Sequence, residues 1–395
     1  MFSVLKPVPP DPILSISATY KADPRTDKID LGVGVYRDED GNTPIPAAVK
    51  EAERRIIAEQ TTKTYLSPTG NQDFNEAMMK LVLGEVLDEK RTCAVQTPGG
   101  TGAVRLLFDL AKLANPDATV WISDPTWPNH KPMAEASGLK TAAYPYYDKA
   151  GGVVLFDAMM AALENLKAGD LVVLHGCCHN PTGADLDLSQ WDKIAELLNA
   201  NGAIPLVDFA YQGLGNGLDE DAAGLRLLAG QCEEMLIAAS CSKNFGLYRD
   251  RVGAAIVIAA SEQEKQNAFG NAGVIARCTY SMPPDPGAAI VARILNDEAL
   301  RASWVEELDG MRLRIAELRT ELADALRLKL NSDRCDYLAQ QKGMFSLLNL
   351  KDGGAKTLSS EHGVYMPASG RVNMAGLRTS MIDTAATRIA RVLSD

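Results

Sequence analysis

"LVVLHGCCHNPTGADLDLSQWDKIAELLNANGAIPLVDFAYQG", residues 171–213, passes from one apolar run to another through a helix-length amphipathic stretch. LVVLH (171–175) and AIPLVD (203–208) are short and rich in branched side chains. They do not alternate with polar residues as a half-exposed strand would, so they predict strands covered on both faces. Between them, residues 188–201 put Trp191, Ile194, Leu197 and Leu198 on one face of a helix and charges on the other. Working outward, ATVWIS (118–123), EMLIAAS (234–240) and VGAAIVIAA (252–260) are similar runs separated by helix-length segments. The fold class is therefore α/β, with a mostly parallel central sheet covered by helices.

Near the C-terminus the pattern changes. Residues 301–328 carry a long amphipathic helical pattern of alternating charge, followed by the strand-like pieces GMFSLL (343–348) and GVYM (363–366). This predicts a second, smaller α+β domain that includes part of the N-terminal segment KIDLGVGVYRDEDGNTPIP (28–46).

Composition narrows the function. Of 395 residues, 46% are hydrophobic and 23% charged, the usage of globular proteins rather than of disordered or fibrous ones. No secretory leader or membrane-spanning apolar stretch is visible, and seven scattered cysteines suit a reducing compartment, so a cytoplasmic location is expected. A net charge of −11 argues against nucleic acid as a partner, and no membrane partner is expected. GCCHN (176–180) offers contiguous thiols and an imidazole that cannot easily close a tetrahedral site, so no metal is expected.

In an open α/β sheet, ligands bind beyond the carboxyl ends of the strands. There stand DPTWPNH (124–130), GCCHNPTG (176–183), DFAYQG (208–213) and SCSK (240–243). They bring Trp127, His130, Asn180, Asp208, Tyr211 and Lys243 to one edge. TPGGTGA (97–103) adds a glycine-rich turn into a helix, whose amides at Gly100 and Thr101 suit a phosphate. Its spacing is neither a dinucleotide fingerprint nor a Walker loop, which weakens a nucleotide-dependent oxidoreductase as the rival reading. A phosphorylated aromatic aldehyde, by contrast, needs a lysine for a Schiff base, an acid for its ring nitrogen, a flat surface and a phosphate cup.

From KIDLGVGVYRDEDGNTP through TPGGTGA, DPTWPNH, HNPTGAD, DFAYQG and SKNFGLYRDRVG to SGRVNMAGL, the chain resembles the pyridoxal-phosphate-dependent aspartate and aromatic amino acid aminotransferases, fold type I, subgroup Iα. The resemblance implies an N-terminal arm over residues 1–14 and a small domain of 15–44 and 311–395. It leaves residues 45–310 as the large cofactor-binding domain.

It implies that Lys243 is the Schiff-base lysine and Asp208 the partner of the pyridine nitrogen, with His130 behind it. Tyr211 and Asn180 would meet the ring oxygen, and Trp127 would stack on the ring. Gly100, Thr101, Ser240, Ser242 and Arg251 would hold the phosphate, with Tyr65 reaching it from a second subunit. Arg371 would grip the substrate α-carboxylate near Gly34, and Arg277 would cross from the partner to a distal carboxylate. The implied enzyme is a homodimer with shared active sites, passing amino groups between amino acids and 2-oxo acids through pyridoxamine phosphate. Met282, in YSMPP where aspartate-specialised members carry YSNPP, softens the wall and points to aromatic as well as dicarboxylic substrates. Val35, Thr43 and Thr101 follow the aspartate-type pattern, so an aspartate-specialised enzyme is the alternative. From another class, a catalytically inactive binding protein on this fold is the other.

Overall fold

Seven strands form the central sheet: β1 (Thr92–Pro98), β2 (Thr119–Asp124), β3 (Lys140–Pro145), β4 (Leu171–His175), β5 (Ile204–Phe209), β6 (Met235–Ser240) and β7 (Val252–Ile258). Across the sheet of this computed structural model, which describes residues 1–8 and 12–394, they lie in the order β1-β7-β6-β5-β4-β2-β3. Part of the arm expected over 1–14, residues 9–11, lies outside the described residues. The contacts from β6 through β5, β4 and β2 to β3 are parallel, and β7 runs against both β6 and β1. The reversal of β7 matters for the site, because its first residues begin on the edge where the other strands end.

Continuous apolar runs are needed because both faces are covered. Leu171 and Val173 of β4 face one core with Leu206 and Leu236, whereas Val172 and Leu174 face the other with Val207 and Ile237. Helix α1 (Gly99–Ala114) covers the first core with Val104 and Leu107. Helix α2 (Leu188–Asn201) covers the second with Trp191, Ile194 and Leu198. The start of α2 is fixed by a capping box: Asp187 accepts from the Gln190 amide while the Gln190 side chain accepts from the Asp187 amide. Gly202, in the left-handed conformation at φ 65°, ends it. A cap of this kind contributes about 1 kcal/mol.

Helix α3 (Glu262–Tyr280) follows the sheet, and α4 (Glu298–Leu330) runs unbroken across the 310/311 boundary expected between domains. In the smaller domain the chain ends meet: Ile29–Asp30 pairs in parallel with Val364–Tyr365, and Phe345–Leu347 pairs antiparallel with Arg371–Asn373. The Asn373 amide donates to the Leu31 carbonyl at 2.9 Å, tying the two short ladders together. Among the described residues no helix is long and apolar enough to cross a membrane.

Candidate active site

The carboxyl ends of β1, β5 and β6, the start of β7 and the loop after β4 enclose a cavity of about 260 Å³. Gly34, Gly100, Thr101, Trp127, Asn180, Asp208, Tyr211, Ser240, Ser242, Lys243 and Arg251 all line it, as do Ala210 and Tyr248. A larger surface hollow of about 440 Å³ lies among Glu76, Lys80, Cys93 and Phe269 but gathers no comparable set of groups. Chemistry, not volume, singles out the smaller one.

At one end is a cup for an anion. Helix α1 begins there with no side-chain cap, so its first amides keep their donors free and its dipole favours negative charge. The close fit requires glycine: a Cβ on Gly253 of β7 would fall 2.5 Å from the Gly99 carbonyl carbon and 2.8 Å from the Gly100 nitrogen. Gly99 itself sits at φ +74°. The hydroxyls of Ser240 and Ser242 stand 3.2 Å apart beside this turn. Arg251, immediately before the reversed strand, is held by the Tyr248 carbonyl at 3.0 Å. Without that reversal, the arginine would lie at the far end of the sheet.

At the other end is a buried carboxylate. Asp208, near the end of β5, accepts a hydrogen bond from His130 Nε2 at 3.0 Å. A carboxylate only accepts, so that nitrogen carries the proton. The Thr126 hydroxyl bridges His130 Nδ1, at 2.8 Å, and His175 Nε2, at 3.1 Å. Burial pushes against charge on Asp208, yet the His130 hydrogen bond and the nearby Lys243 ammonium prevail and hold its pKa below the usual carboxylate value. Burial also pushes His175 and His179 well below the usual imidazole range, so both are neutral.

Between the two ends lies Lys243. Its ammonium nitrogen is 4.6 Å from the centre of the Tyr211 ring, and burial brings its pKa down to about 8. The amine is thus far closer to its reactive neutral form at neutral pH than an exposed lysine. Asn180 donates to the Tyr211 hydroxyl at 3.4 Å, and burial raises that phenol's pKa. Trp127 stands edge-to-face with His130, ring centres 5.3 Å apart. Two buried polar atoms here, Asn180 Oδ1 and Arg371 Nε, have no hydrogen-bond partner among the described residues. Buried groups of this kind call for a ligand.

Three expected residues stand elsewhere in this chain. Tyr65 is 90% exposed, and Arg277, in the last turn of α3, is exposed as well. Met282 is half-buried and its sulfur accepts from the Leu66 amide at 3.3 Å, which puts it beside Tyr65 rather than on the cavity wall. Cys177, Cys178 and Asp221 have their ligand atoms within 4.8 Å of one another. Asp221, however, already accepts from the amides of Gly213, Gly215 and Asn216, and burial raises the Cys177 thiol. That cluster braces a loop. Tyr248, Ala210, Thr126 and His175 escaped the sequence reading, although Tyr248 stands within SKNFGLYRDRVG and His175 ends the run LVVLH.

The family model for aminotransferase class I and II matches residues 26–389. The chain is 47% identical to the aromatic-amino-acid aminotransferase of Paracoccus denitrificans over 392 residues, covering 99% of this chain and 100% of that one. It is 42% identical over 396 residues to the aspartate aminotransferase of Escherichia coli, covering all of both. Its fold superposes with a TM-score of 0.96, at 40% identity, on the aromatic-amino-acid aminotransferase of Burkholderia pseudomallei solved covalently bound to pyridoxal phosphate. That match covers 100% of this chain and 99% of the other. With a lysine, a carboxylate and an anion cup converging on one cavity, and with these likenesses running nearly end to end, the chain belongs to the aromatic and aspartate aminotransferases of the class I and II family.

Proposed function

We propose that the chain transfers amino groups between aromatic or dicarboxylic amino acids and 2-oxo acids such as 2-oxoglutarate, using pyridoxal phosphate. The observation that carries this reading is the meeting of an amine, an ionised carboxylate, an indole and an anion cup around one cavity. The donor set fits the cofactor group by group: uncapped amides, two serines and Arg251 for a phosphate, Asp208 for a ring nitrogen, Trp127 for a ring face. Pyridoxal phosphate, when bound, supplies an electron sink for the bonds at the substrate's α-carbon.

The chain's own groups do the rest. Asp208, kept ionised, would hold a proton on the cofactor's ring nitrogen, and the His130 N–H keeps the carboxylate in place. Tyr211 and Asn180 would meet the ring oxygen of the bound cofactor, and Lys243 would anchor it. The freed Lys243 amine would also take and return the substrate's α-proton, which its lowered pKa suits. Arg371, buried with a free Nε, holds the substrate α-carboxylate beside Gly34. The first amino acid leaves as a 2-oxo acid, and a second 2-oxo acid collects the amino group, giving ping-pong kinetics.

The working unit is a homodimer. Tyr65 and Arg277 are exposed and, like Met282 against the Tyr65 segment, stand outside the lining of this chain's own cavity, as residues serving a partner's site would. Seven free thiols suit the cytoplasm. The substrate range is tested by Arg277→Leu. Removing a desolvated partner for a distal carboxylate lowers kcat/KM for aspartate by roughly one to four decades. The value for phenylalanine changes little, since its ring makes no such pair. Equal losses for both amino acids would assign Arg277 to the interface alone.

A further inference from the structure

Phe345 opens a short strand of the smaller domain and is 3% exposed, yet it is surrounded by groups of the active site. The Arg371 guanidinium carbon lies 4.3 Å from the centre of its ring. Tyr211 meets the same ring edge-to-face, with centres 6.1 Å apart at 87°. On another side, a Cβ at Gly34 would come within 2.9 Å of the ring's Cζ, so glycine is what leaves the ring its place. The ladder sets the two partners: Phe345 pairs with Asn373 and Leu347 with Arg371.

The strand is itself clamped. Arg319 of α4, only 1% exposed, donates to the backbone carbonyls of Leu338, Lys342, Gly343 and Phe345 and to the Ser346 hydroxyl. None of these acceptors is a carboxylate. A buried cation satisfied by backbone carbonyls and one hydroxyl is costly to bring out of water, and its planar fork fixes the segment that supplies the acceptors. From the other side, the Lys342 amide donates to the Gly183 carbonyl at 2.8 Å, in the loop that carries Asn180.

We infer that Phe345 is a positioning residue: its ring carries the Arg371 guanidinium in the orientation that receives the substrate carboxylate, and Arg319 clamps the strand that presents the ring. This rests on the reading of Arg371 as the carboxylate clamp. A cation over a ring face leaves its in-plane N–H groups free, and a bidentate carboxylate approaches in that plane. One of them, Nη2, is held by the Gly32 carbonyl at 2.9 Å, and Nε has no partner among the described residues. The ring thus immobilises the arginine without consuming the donors that substrate needs.

The test is a double-mutant cycle on holoenzyme, using wild type, Phe345→Leu, Arg371→Leu and the double variant. Binding of unreactive 3-phenylpropionate is measured by calorimetry, and each protein's pyridoxal phosphate affinity is measured separately. Phe345→Leu is expected to weaken 3-phenylpropionate roughly 3- to 30-fold, the range of one cation–π contact between exposed and desolvated settings. Cofactor affinity stays unchanged, and the same substitution has no further effect once Arg371 is gone. Equal losses from Phe345→Leu in both backgrounds would overturn the inference, showing that the ring acts through packing alone. An Arg371→Leu protein that binds 3-phenylpropionate as wild type does would sink the reading of Arg371 itself, and the inference with it. If Phe345→Leu does not fold, Phe345→Met, which also lacks a π face, runs the same cycle.

Discussion

Replacing Lys243 by alanine is expected to lower turnover by roughly 10⁶-fold, the scale lost when one group serves as both attachment point and base. The protein should remain folded, because a half-buried amine at the mouth of β6 contributes little to either core. It should still take up pyridoxal phosphate without a covalent bond, since the cup formed by the α1 amides, Ser240, Ser242 and Arg251 is untouched. The wild type adds a pH signature. Burial brings the amine to about 8, so covalent capture of pyridoxal phosphate by apoprotein, trapped by borohydride, should rise through pH 8. Below that value the amine is protonated and cannot attack. A midpoint near the ordinary lysine value would show that the pocket does not tune it, and multiple turnover in Lys243→Ala would remove it from the mechanism.

Asp208→Asn should lower transamination by roughly two to four decades, as expected when a fixed charge facing a developing charge in a dry site is lost. The carboxamide fills the same space at the end of β5 and can still contact His130, so the change removes charge more than structure. Its consequence falls on kcat, because the electron sink depends on a protonated ring nitrogen that a neutral amide does not hold. Binding through the phosphate should suffer far less. Measuring kcat and the cofactor's Kd on one preparation separates the two. An unchanged kcat would make Asp208 a structural partner of His130.

The sequence predicted five runs that became β2, β4, β5, β6 and β7, and residues 188–201 form α2 as read. These elements were legible because burial on both faces demands unbroken apolar runs, and because Trp191, Ile194, Leu197 and Leu198 recur on one face of the helix. Two strands were not. β1 carries Gln96 and Thr97, polar side chains whose burial depends on partners distant in sequence, such as the Pro284 carbonyl that Gln96 reaches. β3 lies at the sheet edge with only Tyr144 buried. The direction of β7 was equally hidden, since an apolar run reads the same forwards and backwards. Yet that direction delivers Arg251 to the cup.

Among site residues, those following predicted strands were found by position, Gly100 and Thr101 by the glycine-rich turn into a helix, and the rest came from the family resemblance. Tyr248 and Phe345 were missed for different reasons. Tyr248 reaches the cavity from the loop before β7, where no periodicity predicts which side chain turns inward. Phe345 looks like any apolar strand residue until the fold lays Arg371 over it.

In a single half-reaction this one cavity should convert an amino acid to a 2-oxo acid while retaining its amino group. The most direct measurement is a single half-reaction: holoenzyme carrying pyridoxal phosphate is mixed with excess phenylalanine and no 2-oxo acid. The expected result is release of one phenylpyruvate per active site, a matching change in the cofactor's absorbance, and reversal of that change when 2-oxoglutarate is added. Continued release of phenylpyruvate without an acceptor, or none at all with a saturated cofactor site, would contradict it.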